Sequence, residues 1–258
     1  MEVFKLKILF SVLRYQLITD EFMNIGILFH NLDTDERRLE TISKWTRLKG
    51  FDDELDLKIF KILLDGIKEE IQNTLFNKKQ IFDIYEYHKR YVNELRFSEI
   101  YTAEVDDFNE YIEFSKKNFL RYDYEKKERP GINQQLRYMK SLMKGNSIEY
   151  SSKPILGKFS ENIKFDYIIN EFAFKIFSFE EKKLSQMIST AKFWAYTAYE
   201  LKDKYKVIFL YDKDVIDENF NIIKNILEDS SFKVMRYDEG LNWITKLSKD
   251  KNKLEGIS

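Results

Sequence analysis

The sequence predicts an α+β domain followed by an α/β domain with a mixed central sheet. Three observations carry this reading. Residues 3–16 alternate apolar and polar side chains with the period of a strand. From Asp52 the apolar period lengthens to that of a helix. Beyond residue 153, strand-like and helix-like stretches follow in the order β-β-α-β-α-β, and strands joined through helices pair in parallel.

In the first strand Phe4, Leu6, Ile8, Phe10 and Val12 share one face, and Lys5, Lys7 and Ser11 the other. A half-buried strand is expected. Across the polar turn LITD follows EFMNIGILFHN, too apolar to keep one wet face and close enough for a hairpin. RRLETISK predicts a third strand. Leu55, Ile59, Ile62, Leu63, Ile67 and Ile71 then fit a long amphipathic helix, with Asp52 or Asp53 as its cap. Residues 78–95 and 106–120 read as further helices.

EKKERPGIN contains Pro130-Gly131, a strong breaker pair, and places the division into residues 1–128 and 129–258. In the second part FDYIIN and FAFKIFSF are strands and residues 180–203 a helix. YKVIFLYD is a buried strand, DENFNIIKNILED a helix with Asp217 as cap, and FKVMRY a last strand.

Composition narrows the chemistry. Among 258 residues there is no cysteine, which removes disulfides, thiolate metal sites and a cysteine nucleophile. Only two histidines are present, so a serine–histidine triad is not expected. Any metal would rest on carboxylates and would be Mg²⁺ or Mn²⁺; otherwise no cofactor is expected. No glycine-rich phosphate loop occurs, so nothing supports nucleotide hydrolysis. The formal charge of −1 gives no global attraction to nucleic acid. No apolar run approaches membrane-spanning length, so a cytoplasmic protein without membrane contact is expected.

The stretch KFDYIINEFAFKIF offers the sharpest chemical hypothesis. Residues two apart on a strand point the same way, so Asp166 on one strand and Lys175 on the next can face each other. Metal-dependent phosphodiester cleavage uses such an acid, a second carboxylate and a lysine. The position two before Lys175 is Ala173; Glu171, four before it, lies on the same face. On these residues and this order of elements, residues 153–245 resemble the PD-(D/E)XK, or restriction-endonuclease-like, superfamily, and in particular nuclease-like domains of prophage and mobile-element proteins. The resemblance implies a catalytic set of Asp166, Glu171 and Lys175, with Asp166 and Glu171 as metal ligands. Its middle acid maps onto Ala173, which implies a nuclease scaffold that has lost its activity.

Near the N-terminus, Arg14, Tyr15, Glu21, Phe22, Asn24 and Gly26 stand at offsets that resemble an uncharacterised bacterial family, whose members open with Arg-Tyr and then Glu-Phe-x-Asn-x-Gly. Such members are often encoded beside kinase-like toxins, which implies a part in genetic conflict. Read from the residues, Gly26 predicts a bulge or a close backbone approach. Glu21 and Asn24 are expected to hold the hairpin through backbone bonds, with Arg14 paired to Glu21. The functional alternative is a recognition site of Arg14, Tyr15, Glu21 and Asn24.

Residues 116–145 hold nine Lys/Arg against three Asp/Glu. Lys116, Lys117, Arg121, Lys126, Lys127, Arg129, Arg137 and Lys140 are interleaved with Phe119, Tyr122, Tyr124 and Tyr138. Cations bind phosphates and aromatic rings stack on bases, so nucleic-acid contact is one expectation. The other is an exposed helical face whose aromatics point inward. Together these features predict a phage or mobile-element conflict protein, an inhibitor by binding, that engages a protein partner or nucleic acid through a degenerate nuclease scaffold. The alternatives are a Mg²⁺- or Mn²⁺-dependent DNA nuclease and a toxin–antitoxin accessory.

Overall fold

A computed structural model describes residues 5–72, 82–177, 183–211 and 218–255. It divides into two units, residues 1–145 and 146–258.

In the first unit β1 (Leu6–Gln16), β2 (Phe22–Asn31), β3 (Arg37–Thr41), β4 (Leu95–Phe97) and β5 (Tyr101–Val105) form an antiparallel sheet. Its order is β3-β2-β1, with β4 and β5 end to end along the other edge of β1. The helices are α1 (Thr46–Phe51), α2 (Leu57–Gln72), α3 (Ile84–His88), α4 (Phe108–Phe119) and α5 (Ile132–Gly145).

The expected hairpin of β1 and β2 is present. β1 is not half-buried as its alternation predicts: Leu9, Ser11 and Leu13 are as buried as Ile8, Phe10 and Val12. Both faces of the strand are covered. Phe10 meets Tyr111 and Phe119 of α4 and Tyr138 of α5, while Tyr15, on the other face, meets Phe51 of α1 and Phe60 of α2. Buried Ser11 satisfies its hydroxyl on the Ser98 carbonyl at 2.7 Å, as a polar group without water requires.

Gly26 shows both expected features. The β1–β2 register shifts there, pairing Leu13 with Gly26 and Arg14 with Asn24, so Ile25 is the extra residue. A Cβ on Gly26 would also lie 3.0 Å from the Glu40 carbonyl oxygen.

Several expectations are corrected. The cap of α2 is Asp56, whose Oδ1 accepts the backbone N–H groups of Lys58 and Ile59, and not Asp52 or Asp53. The buried face of α2 is Phe60, Leu64, Ile67 and Ile71; Ile59, Ile62 and Leu63 are exposed. The helix read over residues 78–95 falls partly outside the described residues, and its described part stops at His88 before the chain turns into β4. The division lies after Gly145 and not at 128/129. α5 belongs to the first unit because it buries Tyr138, Met139, Leu142 and Met143 there, and Gly145 brings it against the β5 backbone.

In the second unit β8 (Tyr167–Ile169), β9 (Phe172–Phe177), β10 (Lys206–Tyr211) and β11 (Lys233–Arg236) form a sheet of order β11-β10-β9-β8. It is mixed. β8 and β9 pair antiparallel, while β9, β10 and β11 run parallel through α6 (Leu184–Leu201) and α7 (Glu218–Glu228). The short strands β6 (Ile155–Leu156) and β7 (Asn162–Ile163) make a separate ribbon.

Ala173, Phe177, Val207 and Phe209 pack with Met187, Ala191, Ile223 and Leu227 from α6 and α7. On the other face Phe172 and Phe174 meet Trp243 of α8 (Tyr237–Glu255), a helix the sequence reading did not anticipate. The expected cap Asp217 lies outside the described residues. No described helix is long and apolar enough to cross a membrane.

Candidate functional site

Lys175 of β9 meets Asp166, which stands at the bend just before β8 and not on a strand. Lys175 Nζ donates to Asp166 Oδ1 at 2.8 Å, and the backbone N–H of Ile176 donates to Asp166 Oδ2 at 2.7 Å. Both carboxylate oxygens are therefore engaged by the protein itself. Lys175 also lies 5.0 Å from the Trp194 ring centroid, so its charge is held from two sides.

Glu171 is not brought to this pair. It stands at the hairpin beside Asn170, whose φ is 52°. Four residues of strand, about 13 Å, separate it from Lys175. Its carboxylate faces Lys206 at 3.4 Å. Ala173 is fully buried in the apolar cluster with α6. Among the described residues no group of three or more metal-ligating side chains converges. With both Asp166 oxygens engaged and Glu171 turned to Lys206, the two acids do not converge on one ion.

Two residues of the N-terminal motif, Tyr15 and Asn24, bond to other elements of the first unit. Tyr15 is buried, and its hydroxyl donates to Asp52. Burial and that acceptor push the phenol well above its ordinary value, while the same bond holds the Asp52 carboxyl below the usual carboxylate range. Asn24 Nδ2 donates to the Phe119 carbonyl at 3.1 Å, tying β2 to the end of α4 and not to the hairpin. Arg14 lies 4.3 Å over the Phe22 ring, and no ion pair to Glu21 occurs. Glu21 is exposed and accepts a 3.4 Å bond from the Thr19 hydroxyl.

The basic stretch separates into two groups. Phe119 and Tyr138 are core residues. Lys116 is neutralised by Glu40 at 3.3 Å and Glu113 at 2.8 Å, and Lys117 lies 5.9 Å from the Tyr124 ring. Lys127, Arg137 and Lys140 are exposed, and Lys126 lies in a short 3-10 turn.

The remaining group forms a built feature. Tyr122, 39% exposed, has the guanidinium carbon of Arg47 3.1 Å and that of Arg129 5.2 Å from its ring centroid. Arg129 Nε donates to the Arg121 carbonyl at 3.1 Å, which fixes its fork. The turn carrying Tyr122 is fastened by Asp123, whose carboxylate accepts the backbone N–H groups of Ser43 and Lys44 just before α1. Neither Arg47 nor Arg129 meets a carboxylate among the described residues. Two planar cations are thus held on one aromatic ring with their charge unanswered, the arrangement suited to forked contact with phosphate oxygens. Arg47 was missed by sequence reading, because it comes from a helix distant in the chain and no local signal marks it.

Residues 10–110 match the family described as Protein of unknown function (DUF3037). The match begins within β1, includes the Arg14–Gly26 motif and Arg47, and ends in α4. No curated protein and no solved structure matches the chain.

Proposed function

We propose that this chain is a non-catalytic binding protein whose first unit grips a nucleic-acid backbone through Arg47 and Arg129. The observation that carries this reading is the pair of guanidiniums on the exposed Tyr122 ring with no carboxylate to answer them among the described residues. The ring limits the rotamers of both side chains, so less entropy is lost when each fork meets a phosphate.

The second unit is proposed as a restriction-endonuclease-like scaffold serving as a binding platform. Its acid is already paired with Lys175, and an acid at position 173 would be buried in an apolar cluster. The setting we propose is conflict with a phage or mobile element, with a protein component of immunity as a further partner. That setting follows from the two family resemblances.

Fluorescence anisotropy with labelled single-stranded DNA and RNA tests the reading. Wild type binds at about 50 mM salt, and the Arg47→Ala/Arg129→Ala double variant binds at least about tenfold more weakly, a loss of roughly 1.4 kcal/mol. Unchanged affinity would refute it. The same oligonucleotides incubated with Mn²⁺ stay intact. Asp166→Ala has no cleavage to lose, and its effect falls on stability, about 2 kcal/mol from the unpaired Lys175 and the Ile176 N–H. Cleavage by wild type that Asp166→Ala abolishes would favour the nuclease.

A further inference from the structure

Helix α2 carries two apolar faces. Phe60, Leu64, Ile67 and Ile71 are buried in the first unit. Ile59 (67% exposed), Ile62 (71%) and Leu63 (49%) form a second stripe, at the i, i+3, i+4 spacing of one helix face. Gly66 continues it at i+7, and among the described residues nothing lies within 4 Å of where its Cβ would be. About two turns of helix, exposed branched side chains ending on an open glycine, mark an interaction surface.

Charge along one edge of the stripe identifies the occupant. Lys58 stands at its N-terminal end, and Asp65 and Glu69 at its C-terminal end. None of the three has an ion pair or side-chain hydrogen bond among the described residues. A second α2 laid antiparallel, about a two-fold axis midway between Ile62 and Leu63, satisfies shape and charge in one register. Ile59 then enters the gap above the partner's Gly66, and Ile62 meets the partner's Leu63. Lys58 falls at the level between the partner's Asp65 and the partner's Glu69. The two-fold repeats each contact, as an isologous interface requires. A parallel pair would set Lys58 against the partner's Lys58.

We propose that α2 is the homodimerisation helix of this protein, docking antiparallel on α2 of a second copy. One helix face is small beside the roughly 1,200 Å² of a stable interface, so the dimer is weak and concentration-dependent.

Sedimentation velocity of the full chain, from about 5 to about 500 μM, tests this. Wild type moves from monomer to dimer across that range. Ile62→Glu raises the dimer Kd at least about tenfold. Lys58→Glu alone and Asp65→Lys/Glu69→Lys together each weaken the dimer, and combining all three changes restores it, because the charges swap sides across the axis. Circular dichroism establishes that each variant retains its helices. A wild type that stays monomeric throughout, a dimer indifferent to Ile62→Glu, or a triple variant no better than its components would overturn the proposal.

Discussion

Replacing Phe10 by alanine is expected to lower the stability of the first unit by about 3–5 kcal/mol, the range for removing a fully buried aromatic side chain. Phe10 has no exposed surface. Its ring lies 4.9 Å from Tyr101, 5.8 Å from Tyr111 and 6.2 Å from Tyr138, with Phe29 and Phe119 each at 6.0 Å. These rings come from β2, β5, α4 and α5, so one side chain joins four elements to the central strand. Rigid aromatic neighbours cannot collapse into the gap, which places the cost toward the upper end. Urea unfolding followed by segment-resolved hydrogen exchange reads the first unit apart from the second. Phe10→Leu, which keeps more of the volume, loses less than half as much. A loss under about 1 kcal/mol for Phe10→Ala would contradict the placement of this residue at the core's centre.

The second large effect concerns two glycines and has opposite signs. Gly145→Ala is expected to destabilise by about 3 kcal/mol, because its Cβ would lie 2.6 Å from Ala103 Cα and 2.7 Å from Ala103 N. Those are backbone atoms of a paired strand, and they yield only if α5 moves off β5. At concentrations where the chain is monomeric, Gly66→Ala is expected to stabilise by up to about 1 kcal/mol, since the new methyl meets nothing among the described residues of its own chain and the helix gains a better former. Thermal or urea unfolding of the two variants side by side checks both. Equal effects would mean that α5 does not sit against β5 as described.

These residues also show what the sequence discloses. The strands containing Phe10, Ala173 and Phe209 were legible, because alternation or a short apolar run is written locally. That β1 is covered on both faces was not, because Ser11 reads as a wet residue until its hydroxyl finds the Ser98 carbonyl across the sheet. The exposed stripe on α2 was misassigned to the core for a related reason. Two adjacent apolar faces produce one helical period, and only the neighbours decide which is buried. Asp166 and Lys175 were expected to face each other from two strands; they meet, but Asp166 does so from the bend just before β8. The capture of the second Asp166 oxygen by the Ile176 N–H depends on strand register, which side-chain pattern does not encode. The Arg47–Tyr122 contact joins α1 to a turn after α4, and pattern reading cannot reach a contact between segments so far apart.

The salt dependence of oligonucleotide binding tests the central claim most directly. Each single-strand phosphate neutralised contributes about 0.7 to the slope of log K against log salt. Loss of both Arg47 and Arg129 should therefore flatten that slope by about 1.4 relative to wild type. An unchanged slope in a folded double variant would show that these two guanidiniums do not meet phosphate.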